Sequence, residues 1–188
     1  MLITDRFRLP TATQQDAAAV ARYYQGNWNH LRPWEPQRRA DPRVLDYWQS
    51  QLRQQEADHA ARTGLMLLIR AKEHADSPAD ILGVIRFSQI FRGPFQACYL
   101  GFSLAETAVG RGTMQEALTG AIGHMFDGWH LHRIMANYLP RNHRSGALLA
   151  RLGFVQEGLA KDYLQINGAW EDHVLTAKTN TELVPVIA

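Results

Sequence analysis

Three strand-like segments follow one another between residues 65 and 104, and the connections between them are too short for a crossover helix. Leu65 to Ile69 is a short apolar run. Ile81 to Ile90 contributes Ile81, Leu82, Val84, Ile85 and Phe87, and Gln96 to Leu104 is rich in aromatic and β-favouring residues. Asp76 to Asp80 and Arg92-Gly93-Pro94 read as the turns. A parallel link needs roughly a dozen residues or more, so these segments pair antiparallel. The two strands from Phe154 onward, joined near Asn167-Gly168, do the same. A doubly wound parallel sheet is thereby excluded.

Elsewhere the period is helical. Met114, Ala117, Leu118, Ala121, Ile122, Met125 and Phe126 fall on one stripe after Gly112, which predicts a core-facing helix. Arg133 to Leu139 reads as a strand, and Arg144 to Leu152 as a short helix closed by Gly153. Upstream, Leu2 to Leu9 reads as an edge strand leading through Pro10, Thr11 and Thr13 into a helix over about 13–28. In Leu31-Arg32-Pro33-Trp34-Glu35-Pro36 two prolines bracket a tryptophan and forbid a continuous helix. Asp41 and Pro42 are placed to start a second helix running to about 59, with Val44, Leu45, Trp48 and Leu52 as its apolar face. The resulting order predicts an α/β (α+β) sandwich with one mixed, mostly antiparallel sheet flanked by helices. At 188 residues it is expected to form a single domain over 1–188.

The longest apolar runs, Ala17 to Ala21 and Leu65 to Ile69, are far shorter than the roughly 18 residues a membrane span needs. Met1 to Arg6 has no basic segment leading into an apolar stretch, so a cytoplasmic protein is expected. The single cysteine, Cys98, excludes an internal disulfide and a cysteine-based metal site. As a lone strand cysteine it is expected to be buried and inert. His130 and His132 are spaced to share a strand face, but no third ligand accompanies them, so no metal is expected. A net charge of +2 does not demand nucleic acid, and no specific DNA binding is expected. Of the 20 cations 17 are Arg, the residue suited to bidentate grip on phosphate and carboxylate.

One segment passes from a strand through a glycine-bearing turn into a helix: Ser103-Leu104-Ala105-Glu106, then Val109-Gly110-Arg111-Gly112-Thr113-Met114. Free N–H groups of a first helical turn bind phosphate, and glycines let it approach the backbone. The segment is neither a P-loop nor a dinucleotide fingerprint, because the Lys-Ser/Thr pair and the further glycine are missing. A second polar turn, Pro140-Arg141-Asn142-His143-Arg144-Ser145, opens the short helix, with Asn142 or His143 as its cap.

The two loops, in this order and on this pattern of elements, resemble the GNAT acetyltransferase superfamily. Further stretches resemble its branch that acetylates ribosomal-protein alanines: His132 to Tyr138, Asn142, Ser145-Gly146, Leu148 to Phe154, Lys161 to Leu164 and Trp170 to Ala177. The Leu31 to Pro36 loop and the Cys98 to Ser103 strand resemble it too. The resemblance implies transfer of acetyl from acetyl-CoA to the α-amine of an N-terminal alanine, in particular that of small-subunit ribosomal protein five.

The resemblance also implies roles for residues. The pyrophosphate loop would fall on Val109, Gly110, Arg111, Gly112, Thr113 and Met114, with Val109 where a polar side chain is usual. Phe102, Ser103 and Leu104 would pair with the pantetheine arm. Many superfamily members carry an acid tyrosine seven residues after the asparagine; here that cofactor-side position is Leu149. Ser145 would hydrogen-bond the leaving thiolate and Asn142 would orient the pantetheine or a water. Since a thiol of pKa about 8.5 leaves readily as thiolate, a hydroxyl donor suffices. Glu106 and Glu35 are both open as the group that takes the amine proton, and Trp34 and Tyr163 as walls of the acceptor groove. Two other readings remain: a small-molecule amine acceptor, or a ribosome-assembly factor whose acetyltransferase activity is secondary. Arg38, Arg39 and Arg43 would then supply contact to the ribosome or its precursors.

Overall fold

The computed structural model describes residues 1–36, 38, 40–73 and 81–182. Its strands are β1 (Leu2–Ile3), β2 (Phe7–Leu9), β3 (Leu65–Ala71), β4 (Gly83–Phe91), β5 (Ala97–Leu104), β6 (Arg133–Met135), β7 (Val155–Ile166) and β8 (Ala169–Thr179). They form one sheet in the order β1-β2-β3-β4-β5-β6-β8-β7. All neighbours run antiparallel except β5 and β6, so the sheet is mixed as expected. The helices are α1 (Ala17–Leu31), α2 (Leu45–Ala60), α3 (Thr113–Asp127) and α4 (His143–Arg151).

The apolar run in β3 is continuous because both its faces are covered. Leu65, Leu67 and Ile69 face α3 and α4, where Ala117, Leu118, Ala121, Ile122 and Met125 close the larger core. Met66 and Leu68 face α1 and α2, among Val20, Tyr24, Trp48 and Leu52. Each such large side chain contributes roughly 1.5–3 kcal/mol when buried.

Four expectations are corrected. The edge strand at 2–9 is two strands, because Thr4 and Phe7 close a turn between them. The second helix starts at Leu45 with Val44 in its extended N-cap position, and Val44 and Leu45 are exposed. Asp41 does not cap it: its carboxylate accepts the Arg43 backbone N–H and guanidinium instead, which holds it below the usual carboxylate range. The strand at 133–139 stops at Met135, after which the chain turns to β8 through Ala136 and Tyr138. His130 and His132 lie in the connection before β6, not on a strand, with His130 at positive φ. The turn expected at Asp76 to Asp80 lies outside the described residues.

The β1–β2 turn grips the start of α3. Thr4 Oγ1 and the Arg6 N–H each donate to Glu116 Oε1 at 2.7 Å, and Arg6 Nε pairs with Oε2 at 2.6 Å. Burial pushes the Glu116 carboxyl up, but these bonds outweigh it and hold it below its ordinary value of 4.5. Its stabilising effect is therefore full above pH 4.5 and lost as pH falls through the lowered folded value. The gap in Tm between the wild type and Glu116→Gln is expected to narrow on acidification from pH 7 to 3; a gap independent of pH would contradict the assignment. No described helix is long and apolar enough to cross a membrane.

Candidate active site

β5 and β6 pair only at Ala97–Arg133, Cys98–Ile134 and Tyr99–Met135. Beyond Tyr99 the partner strand departs, since the Ala136 and Tyr138 N–H groups bond to Thr176 and Val174 of β8. The second half of β5, including Phe102, Ser103 and Leu104, is thus left with an open edge on that side. An extended ligand bearing amides can add to such an edge as a strand would.

At the end of that edge the chain makes a short 3-10 turn over Glu106–Ala108, continues extended at Val109 and enters α3. Gly110 (φ 79°) and Gly112 (φ 72°) both adopt the left-handed region that β-carbons disfavour. Gly112 is the N-cap without a capping side chain, and the first intrahelical bond runs from Glu116 N–H to Gly112 C=O. The N–H groups before Glu116 therefore stay available, at the positive end of a 15-residue helix. No atom lies within 4 Å of where a Gly110 Cβ would stand. Bare backbone, free donors and open space fit a diphosphate, and the adjoining strand edge fits the amides of a pantetheine chain. Thr113 and Met114 have buried side chains, so they offer backbone only; Arg111 is exposed and its carbonyl is held by Arg6. α1 braces this loop from below, where Tyr23 hydrogen-bonds Ser103 Oγ at 2.9 Å and Asn27 accepts the Glu106 N–H at 2.9 Å. Burial, offset in part by the Ser103 bond, pushes the Tyr23 phenol far above its ordinary range.

The first turn of α4 sits beside the departing strand. Asn142 is its N-cap, accepting the Ser145 N–H at 3.2 Å. The Tyr138 ring packs so closely on this turn that a Cβ at Gly146 would meet its Cε2, Cζ and hydroxyl at 2.8 Å. Leu149 is 1% exposed and belongs to the core, so its side chain offers no surface to a ligand.

On the α1 and α2 side, Trp34 stands 38% exposed. Arg141 ties it to the second loop: its guanidinium lies 5.5 Å from the Trp34 ring, donates to the Pro33 carbonyl and pairs with Glu171 at 3.0 Å. Tyr163 is positioned by a bulge in β7. Ala160 and Leu164 oppose His173 and Glu171, so three residues of β7 face one of β8. The Asp172 carboxylate fills the gap, accepting the Asp162 N–H at 3.1 Å and Lys161 Nζ at 2.6 Å. The Tyr163 hydroxyl thereby meets Asn137 Nδ2 at 3.1 Å, next to Tyr99 at the last β5–β6 rung. Burial, then the Tyr99 hydroxyl, raises the Tyr163 phenol.

The two carboxylates differ. Glu35 is held in an ion pair with Arg38, which also donates to the Tyr47 hydroxyl at 2.9 Å. The Glu106 residue is exposed. Arg38 and Arg43 are both engaged by carboxylates, which leaves less of the expected basic cluster for phosphates; Arg39 lies outside the described residues. Cys98 is fully buried, and burial pushes its thiol up to about 12. No group of three metal-ligating side chains occurs among the described residues.

Sequence reasoning does not single out Tyr99, Asn137, Tyr138 or Arg141 for the site. Local spacing carries no signal for them, because each is brought in by strand register or by a partner far along the chain.

Residues 6–155 match a family model described as an acetyltransferase (GNAT) domain. Over 184 residues, 98% of this chain and 93% of the relative, the sequence is 45% identical to the ribosomal protein uS5-alanine N-acetyltransferase of Escherichia coli (strain K12). The crystal structure of ribosomal-protein-S5-alanine acetyltransferase from Vibrio fischeri superposes with a TM-score of 0.88 at 40% identity, covering 95% of this chain and 96% of the other. Mycobacterium smegmatis RimJ in complex with CoA-disulfide superposes with a TM-score of 0.85 at 30% identity, covering 97% and 89%.

Proposed function

Because the chain belongs to the GNAT acetyltransferase family, we propose that it is an acetyl-CoA-dependent N-terminal acetyltransferase acting on the α-amine of the N-terminal alanine of ribosomal protein uS5. Likeness over nearly the whole length to relatives named for that acceptor carries the reading. One GNAT domain spanning 1–188, working in the cytoplasm, accounts for the activity.

The pyrophosphate of acetyl-CoA is assigned to the loop Val109 to Met114, with the backbone N–H groups of Gly110 to Met114 as donors and Gly110 and Gly112 permitting the approach; the Val109 N–H is taken by the Glu106 carbonyl. The pantetheine amides are assigned to the open edge at Phe102, Ser103 and Leu104. This places the thioester where β5 and β6 part, beside Asn142 and Ser145. Holding both substrates there makes attack effectively intramolecular and removes the need for a covalent enzyme intermediate. The amine nitrogen bonds to the thioester carbon, the C–S bond breaks, and the Ser145 hydroxyl donates to the departing thiolate. An α-amine of pKa about 7.7–8.0 is partly neutral at pH 7, so a weak base suffices. Glu106, open to solvent, takes the proton through water, while Glu35 is held by Arg38 and shapes the groove with Trp34 and Tyr163.

The test is a pair of peptides, one with a free N-terminal alanine and one with a blocked terminus and an internal lysine. Acetylation of the first alone supports the reading. Equal modification of the lysine, or preference for a small amine, overturns it.

A further inference from the structure

Among the described residues, Arg86 is a strand arginine with a buried, unpaired Nε. It lies in β4 on the face shared by Val84 and Met66, which pack beneath α1 and α2, and it is partly buried. Its Nε is cut off from solvent and makes no hydrogen bond, and no described carboxylate pairs with it. A buried N–H donor without an acceptor is uncommon in a folded protein, so the Nε of this half-buried side chain lacks the partner such a group normally has.

The surroundings say what is missing. Directly across the β4–β5 ladder stands Gly101, and nothing lies within 4 Å of the position its Cβ would take. The sheet therefore leaves open space over Gly101, directly across the ladder from Arg86. Tyr99 and Ser103 bound this hollow along β5, two residues to either side, and Ser103 is fixed by Tyr23 of α1. Gly101 follows the last β5–β6 rung by two residues, so the hollow adjoins the split assigned to the thioester. A planar cation on the strand facing open, polar-edged space is suited to bidentate grip on a carboxylate.

We propose that Arg86 is a specificity-determining residue that binds a carboxylate of the acceptor in the hollow over Gly101, selecting peptides with an acidic side chain close behind the N-terminal residue. This rests on the N-terminal acetyltransferase reading.

The experiment compares alanine-initiated peptides that differ only in Glu or Gln at the second, third or fourth residue, using wild type and Arg86→Gln. For one of these positions the wild type is expected to show a KM about tenfold lower for the Glu peptide, and Arg86→Gln to abolish that preference. The KM for acetyl-CoA and the turnover of the Gln peptides should not change. Free alanine acetylated in preference to alaninamide, with the preference lost in Arg86→Gln, would put the bound carboxylate on the first residue itself and overturn the assignment to a side chain behind it. Acetylation of all peptides without a Glu preference, or a preference that survives in Arg86→Gln, overturns the assignment while leaving the N-terminal acetyltransferase reading intact. If no peptide is acetylated although acetyl-CoA binds, that reading fails and the assignment with it.

Discussion

Gly112→Asp is expected to weaken acetyl-CoA binding by roughly 100-fold, because a carboxylate about 5 Å from a phosphate costs about 3 kcal/mol at an effective dielectric of 20. The effect is electrostatic rather than a loss of fold. Arg6 Nη2 lies 3.5 Å from the position of the new Cβ, so the added carboxylate has a cation beside it in the free protein. Gly112→Asn separates the two contributions, since it has nearly the same shape and the same left-handed backbone at φ 72° without the charge. Its backbone strain is roughly 1–2 kcal/mol at most, and asparagine tolerates this region better than other residues. Isothermal titration with acetyl-CoA should therefore show a much larger loss for Asp than for Asn. Equal affinities for the wild type and the Asp variant would remove the diphosphate from this loop.

Ser145→Ala is expected to lower kcat by tenfold or more, toward the about 100-fold typical of a lost proton donor, with KM for acetyl-CoA within about twofold. The backbone geometry should persist, because it is the Ser145 N–H, not the hydroxyl, that the Asn142 cap holds. Ser145→Thr keeps a hydroxyl and should recover much of the rate. The loss should shrink at pH above about 8.5, where a thiolate needs no donor. An unchanged kcat would take Ser145 out of the chemistry.

Elements whose pattern is local are legible in the amino-acid sequence. The α3 stripe reports a helix because 3.6-residue periodicity depends on that segment alone, and the short turns force antiparallel pairing for the same reason. The glycine turn at 110–112 and the Asn142 cap are readable because positive φ and capping are properties of a few adjacent residues. The start of α2 at Val44 and Leu45 is not, since Asp41 has two competing partners and takes Arg43 two residues away. The β7 bulge that aims Tyr163 depends on Asp172, which acts only once β8 is in register. Arg86 looks like any strand arginine until the β4–β5 register sets it opposite Gly101. Arg141 is bound to Pro33 and Trp34 across more than a hundred residues, which no local spacing encodes. The proposed acceptor side of the site is therefore the hidden part, assembled almost wholly from nonlocal contacts, whereas the proposed cofactor side lies in two short segments.

The most direct measurement is the mass of the N-terminal peptide of ribosomal protein uS5 after incubation of the unmodified protein with this enzyme and acetyl-CoA. The account predicts one added acetyl group, placed on the alanine α-amine by fragmentation and absent without acetyl-CoA. An unmodified alanine, with acetyl-CoA bound or its acetyl group delivered to lysine side chains instead, would contradict it.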